Sequence, residues 1–385
     1  MKQHRICILT QPLTNGYGGL LQAYALQQVL RREGHIVYHE DRQHNSTKSE
    51  RIVKNLKAIL APLYGPFLTP FTHVYYSSNR TTRRINKQTD YFKFKYLNLT
   101  KPVYTNSKKE LDKYGFDTFI VGSDQVWRPR YSFGEGSIYN YFLDFTQHLS
   151  VTRIAYAASF GVPYWEFTDD ETEKCGNLLK QFDAVSVRED SGVAQCKDKF
   201  NVEAYHVLDP TLLLDKEDYI KIVEDESEPS HEDNLFCYFL DPNPEKEEIV
   251  NLIEESKKFI AFSIMPTEYY YNVGKKQIDK CTYRSVTSWL RAFMDAKFIV
   301  TDSFHGTVFS IIFNKPFITI GNKDRGISRF QSLLKMFGLE NRLVFDKSEI
   351  TNQLLASNID FENVNSIKER QKNMSLQFLM SALNI

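Results

Sequence analysis

The stretch Lys297 to Gly321, KFIVTDSFHGTVFSIIFNKPFITIG, constrains the fold most, because it spells a strand, a turn, a helix and a second strand in one run. Phe298, Ile299 and Val300 suit a strand buried on both faces. Thr301, Asp302 and Ser303 end it with residues that favour turns and helix caps. Val308, Ile311 and Ile312 recur at helical spacing, so a helix is expected from near His305 or Gly306 until Pro316 stops it, before a strand over Phe317 to Ile320. In an open parallel sheet the ligand crevice lies beyond the carboxyl ends of the strands, where a helix N-terminus offers N–H groups and partial positive charge. His305 is expected at such a mouth. The same residues also fit a plainer role, with Asp302 or Ser303 an N-cap and His305 a turn residue bonded to backbone.

The alternation extends to both sides. Arg5 to Thr10 is a strand, Gln11 to Gly19 a loop, Leu20 to Arg32 a helix with Ala23, Leu26 and Leu30 on one face, and Ile36 to His39 a second strand. Gly16, Gly18 and Gly19 allow backbone to approach a ligand lined by Asn15 and Tyr17, but their spacing is not that of a dinucleotide fingerprint. From 43 to 110 the chain carries Pro62, Pro66 and Pro70 and a basic run from Arg80 to Lys95, expected to be inserted helices and loops with a solvated charged face. Thr118 to Val121 then runs as a strand into a turn offering Ser123, Asp124, Gln125 and Trp127. Arg153 to Ser159 is a strand of small residues, and Ala184 to Val187 a strand that delivers Arg188 and Glu189 at its end. There Arg188 either clamps an anion or pairs with Glu189 or Asp190. Val207 to Leu214 is expected to be the last strand of this half, and the acid-rich Asp215 to Asn234 a linker.

A second alternation follows, with strands at Leu235 to Leu240 and Ile260 to Met265 and helices at Pro244 to Lys257 and Val286 to Met294. It leads into the 297–321 stretch, after which Arg325 and Arg329 stand past another strand end, followed by a helix over Ser332 to Phe337. The expected fold is α/β, with two Rossmann-like domains, 1–215 and 216–349, facing across a cleft, and a helical tail, 350–385, packing back on them. A chain of 385 residues with 42% hydrophobic content is ample for two cores. Lys+Arg and Asp+Glu both total 48, so no net field favours nucleic acid or another polyanion. Five cysteines without a CxxC pair fit a reducing, cytoplasmic setting and argue against a disulfide frame or a zinc site. No apolar run approaches the roughly 20 residues of a membrane span.

Five segments, in order, resemble the polysaccharide pyruvyl transferases: Tyr17 to Leu26 (YGGLLQAYAL), Val121 to Trp127 (VGSDQVW), Ser186 to Glu189 (SVRE), Asp209 to Leu213 (DPTLL) and Thr301 to Thr307 (TDSFHGT). One departure is Gly16, inserted between Asn15 and Tyr17 where the family usually has Asn-Tyr-Gly. The resemblance implies a fold similar to GT-B glycosyltransferases, phosphoenolpyruvate as donor, and a pyruvate ketal built on two hydroxyls of a sugar in a surface or capsular polysaccharide precursor. It implies no metal and no cofactor. In that chemistry His305, Asp124 and Asp302 are the candidate proton-transfer or orienting groups, Arg188, Ser303, Gly306, Arg325 and Arg329 the donor-binding set, and Asn15, Tyr17, Ser123, Gln125 and Trp127 the acceptor set. Donor cations from both halves predict that the donor draws them together, with Tyr17 and Trp127 stacking on the sugar at the rim. A lipid-linked acceptor would bring the protein to the inner face of the membrane. The same fold and cationic cleft also suit a sugar-nucleotide glycosyltransferase or a sugar-binding protein without turnover.

Overall fold

The computed structural model describes residues 2–42, 79–103, 108–132, 138–232, 234–321 and 326–384. Most of the expected 43–110 insertion therefore lies outside the described residues, as does Arg325. The first half forms β1 (Arg5–Leu9), α1 (Tyr17–Arg32), β2 (Ile36–His39), α2 (Asn79–Ile85), α3 (Lys87–Tyr96), β3 (Thr118–Val121), β4 (Thr152–Ala158), α4 (Asp169–Leu179), β5 (Ala184–Val187), α5 (Asp190–Gln195), β6 (Tyr205–His206) and α6 (Lys216–Asp225). The second forms β7 (Leu235–Tyr238), α7 (Pro244–Lys257), β8 (Ala261–Phe262), α8 (Val286–Asp295), β9 (Phe298–Thr301), α9 (Phe304–Ile312), β10 (Phe317–Ile320), α10 (Ile327–Phe337), β11 (Leu343–Val344) and α11 (Phe361–Leu383).

All strand pairs are parallel, in the orders β2-β1-β3-β4-β5-β6 and β11-β10-β9-β7-β8. Counted from its own first strand, each sheet begins 2-1-3-4-5, so each has a topological switch point, between β1 and β3 in one and between β7 and β9 in the other. Crevices open at the carboxyl ends of strands at such points. Backbone and side-chain bonds close both: Gly122 N–H donates to Leu9 O at 2.9 Å, and Thr301 Oγ1 donates to Tyr238 O at 2.8 Å.

The central strands are buried on both faces because β-branched and aromatic residues fill every position, as in Phe298–Thr301 and Phe317–Ile320. Helix starts are set by caps: Asn243 before Pro244 for α7, Ser285 for α8 and Ser303 for α9. Between the sheets lies one continuous apolar core, in which Leu21 and Leu26 of α1 share a cluster with Leu212, Tyr219, Trp289, Phe309 and Leu379. Two further clusters back the outer faces of the sheets. In the tail α11 packs against α10 and β4, and Ser375 Oγ accepts from Leu208 N–H at 2.9 Å.

Two sequence expectations are corrected. The acidic stretch after Asp215 is not all linker, since Lys216–Asp225 is helical and buries Tyr219, Ile222 and Val223 against α8. Those three residues lie at i, i+3 and i+4, a stripe that the surrounding acids obscure. Val207 to Leu214 is not a strand either. Pro210 has no N–H to give a ladder, and the Asp209 side chain accepts from Thr211 N–H, which turns Pro210–Leu213 into a short 3₁₀ helix. Among the described residues no helix is long and apolar enough to cross a membrane.

Candidate active site

Arg188 leaves the end of β5 with its side chain fully buried, and its guanidinium spans two carboxylates. One nitrogen lies 2.9 Å from Asp124 Oδ1 and the other 2.7 Å from Asp209 Oδ2. Asp209 is held in turn: Ser123 Oγ donates to Oδ2 at 3.2 Å, and Thr211 Oγ1 donates to Oδ1 at 2.7 Å. Burial opposes charge on both acids, yet Arg188 and His305 beside them hold the Asp209 carboxyl well below the usual carboxylate range and Asp124 also below it. Asp124 has φ +79, a left-handed backbone that Asp tolerates better than most residues, and its side chain keeps 23% exposure. It is thus the carboxylate of this group that reaches solvent.

From the second half come His305 and Arg329. His305 stands in the first turn of α9 with Nε2 3.6 Å from Asp209 Oδ2, beyond hydrogen-bond length, so this buried nitrogen has no hydrogen-bond partner among the described residues. Gly18, in the first turn of α1, meets the other edge of the ring; any side chain there would overlap Nδ1 and Cγ of His305. The Arg188 and Arg329 guanidinium carbons lie 4.6 and 5.4 Å from the centre of the Phe304 ring. Burial, and then the charge of Arg188, pull the Arg329 pKa down to about 10. Two guanidiniums on one ring carry the planar donors that recognise a carboxylate or a phosphate. Arg329 is placed by a glycine junction: Nε donates to Gly326 O, Ser328 Oγ donates to Gly161 O at 3.0 Å, and a Cβ on Gly326 would strike both Arg329 and Gly161 O. Glu189 fixes the other side of that junction, accepting from Ser159 Oγ and from the N–H groups of Phe160 and Gly161 through one oxygen. It does not pair with Arg188.

The structure thus brings together Arg188, Asp124, His305 and Arg329, with Ser123 supporting Asp209. It places the remaining candidates elsewhere. Asp302 accepts from Leu240 N–H and Asp241 N–H and pairs with Lys246 at 2.7 Å with 2% exposure, so its carboxylate ties β9 to β7 and α7 and is spent there. Ser303 is the N-cap, and the Gly306 N–H donates to its Oγ at 3.3 Å, so neither group points outward. Gly306 is required for packing, since a Cβ would overlap Thr301. Trp127 is wholly buried, stacked on Phe142, with its indole N–H donating to Tyr141 O, and so is no rim platform. Tyr17 is also buried, stacked on Trp289 with its hydroxyl donating to Arg284 O, because it fills the seam between the halves. The Gln125 side chain accepts from Arg128 and backs Gly161. Asn15 is half-buried in the loop before α1, where its Oδ1 accepts from Thr14 Oγ1. Asp209 and Phe304 went unassigned in the sequence although each lies in a motif, because a buried carboxylate and a ring look like ordinary core; Gly18, expected to let backbone approach a ligand, instead makes room for the His305 ring.

Two parallel sheets with switch points facing one crevice define the GT-B glycosyltransferase fold. Arabidopsis thaliana UGT89C1 superposes with a TM-score of 0.50 at 7% identity, over 98% of this chain and 99% of that one. The UDP-GlcNAc 2-epimerase from Neisseria meningitidis bound to UDP-GlcNAc gives 0.49 at 9% identity, over 98% and 99%. A glycosyltransferase from Rickettsia africae gives 0.45 at 11%, over 100% and 98%. At 7% identity the likeness to UGT89C1 is one of fold alone. No curated protein matches the chain. The chain belongs to the polysaccharide pyruvyl transferase family, whose model matches residues 17–324.

Proposed function

We propose that the protein transfers a pyruvyl group from phosphoenolpyruvate to two hydroxyls of one sugar in a polysaccharide precursor, forming a cyclic ketal and releasing phosphate. The observation that carries this reading is the convergence of Arg188, Arg329 and the His305 ring around Phe304, with His305 Nε2 lacking a hydrogen-bond partner among the described residues. Phosphoenolpyruvate is small and carries both a carboxylate and a phosphate, so two planar guanidiniums suit it better than a single point charge. In the first step a sugar hydroxyl adds through its oxygen to C2 of the enol and gives up its proton, while C3 gains a proton and becomes a methyl group. The C2–O bond to phosphate then breaks, and the second hydroxyl attacks C2 and loses its proton to close the ring. His305 Nε2 is positioned to deliver or accept one of these protons. Asp124, ionised and partly exposed, supplies a base or an anchor for a hydroxyl. Asp209 orients Arg188 and His305 from behind. Use of phosphoenolpyruvate places this activity in the cytoplasm, with an acceptor that is free or lipid-linked at the inner face of the membrane.

The test is incubation of the purified protein with phosphoenolpyruvate and a panel of oligosaccharides. Phosphate release together with an acid-labile mass gain of one pyruvylidene group on the sugar is expected. Release of nucleotide from UDP-sugars, with none of phosphate from phosphoenolpyruvate, would replace this reading with glycosyl transfer.

A further inference from the structure

On the side of Tyr17 away from His305, the molecule opens a cleft of about 510 Å³ between α3, the residues that follow α6, and the segment leading into α8. Its volume lies within the range of roughly 300–1,000 Å³ usual for small-molecule sites. The two places are linked by one residue pair. Tyr17 donates its hydroxyl to the carbonyl of Arg284, which lines the cleft, while its neighbour Gly18 touches the His305 ring. The cleft and His305 are therefore the two sides of the first turn of α1. Because α8 leads directly into β9, its N-terminus lies at the same sheet edge as that of α9, which brings the cleft to the end of the sheet where the candidate site sits.

The lining has a definite chemistry. Tyr91, Tyr96 and Tyr283 supply rings, and Tyr91 is 49% exposed. Glu226 accepts from Tyr96 Oη at 2.6 Å and pairs with Lys95 at 2.6 Å, while Glu228 accepts from Ser285 Oγ at 2.8 Å and Thr287 Oγ1 at 2.7 Å. Glu226 also accepts from Tyr91 Oη at 3.3 Å, while both Glu228 bonds fall on Oε2, so its Oε1 keeps acceptor capacity. Carboxylates that accept hydroxyl protons, next to rings that meet the C–H faces of a pyranose, are suited to a neutral saccharide. Lys95 and Arg84 pair with Glu226 and Asp279, which leaves Glu228 and Arg284 to balance one another in a lining that favours a neutral ligand over a phosphate. We propose that this cleft binds an uncharged saccharide unit of the acceptor, at the same end of the sheet as His305. The inference rests on the pyruvyl-transfer reading for its choice of a saccharide and adds where that sugar binds and what charge it bears.

The experiment is saturation-transfer NMR on the full chain with neutral di- and trisaccharides of glucose, galactose and N-acetylglucosamine, and with the corresponding 6-phosphates. Binding of phosphoenolpyruvate is measured separately by calorimetry. Saturable binding of neutral sugars is expected, weaker binding of the phosphates, and a loss of about fivefold or more in sugar affinity for Tyr91→Ala and for Glu228→Gln, with donor affinity unchanged. Tyr91→Phe, which keeps the ring, should retain most of the affinity, and unchanged unfolding midpoints show that the variants fold. The inference is overturned if no neutral sugar binds, if the phosphates bind more tightly, or if both variants bind sugar as the parent does. Sugar binding that depends on the cleft, without any binding of phosphoenolpyruvate, would leave the cleft assignment standing and remove the donor reading instead.

Discussion

The turns after β3 and β9 occupy equivalent places, each following the third strand of a parallel sheet and each carrying an acid, Asp124 in one and Asp302 in the other. Their fates differ. Asp302 meets Lys246 and two backbone N–H groups, is 2% exposed and closes its turn on itself. Asp124 meets Arg188, keeps 23% exposure, and opens on a space that His305 and Arg329 also border. Equivalent topology therefore supplies two acids at two crevices, and the cation that each encounters decides which becomes a strut and which remains available. The second turn contributes through His305 instead, one helical turn further along, because Ser303 and Gly306 consume each other in the cap.

The largest expected effect breaks the second turn's contribution. His305→Ala should lower turnover about 100-fold or more with the unfolding midpoint little changed, as for loss of a proton-transfer group; a near-normal rate would leave the β3 turn as the whole of the chemistry. Next is Gly18→Ala, which forces a methyl group into the His305 ring and should lower turnover roughly 10- to 100-fold by displacing Nε2. Normal kinetics in this variant would mean that the ring is not held by α1 in solution.

Asp124→Asn and Asp302→Asn sharpen the comparison directly. Asp124→Asn should lower turnover about tenfold and cost less stability than Asp302→Asn, since Asp209 still pairs with Arg188. Asp302→Asn should leave turnover within about twofold but lower unfolding stability by about 3 kcal/mol, because it strands a buried lysine. Exchanged phenotypes in kinetics and urea unfolding would reverse the assignment of strut and site. The pH dependence follows the same division. Asp124 and Asp209 have lowered pKa values in the folded protein, so their stabilising contribution is present above the unfolded carboxylate value of about 4 and is lost as pH falls below it. The loss of stability below pH ~4 should be shallower in Asp124→Asn than in the parent. Smallest is the effect of the donor on shape. Arg188 and Arg329 already share the Phe304 ring, and one core joins the halves, so scattering with and without phosphoenolpyruvate should give the same radius of gyration. Compaction would restore the clamp expected from cations in separate halves.

Much of this was determined by sequence alone. Runs such as FIV and FITI, each followed by polar turn residues and a helical stripe, have few ways to satisfy their backbone other than a parallel sheet with helices between strands. In such a sheet the strand ends are the crevice, and so His305, Arg188 and Arg329 were legible as a group before any contact was known. Only the tertiary structure decided how their neighbours are used. Asp124 and Asp302 are alike in sequence, and so are a buried and a rim aromatic, because a ring with one polar atom satisfies either place; Trp127 and Tyr17 found partners inside, at Tyr141 O and Arg284 O. Asp209, wholly buried and held by Arg188, Ser123 and Thr211, gains its role from residues 21 to 86 positions away as much as from its own turn. A carboxylate's charge state and purpose depend on what lies within a few ångströms, and chain order does not specify that distance until the sheets and helices have packed.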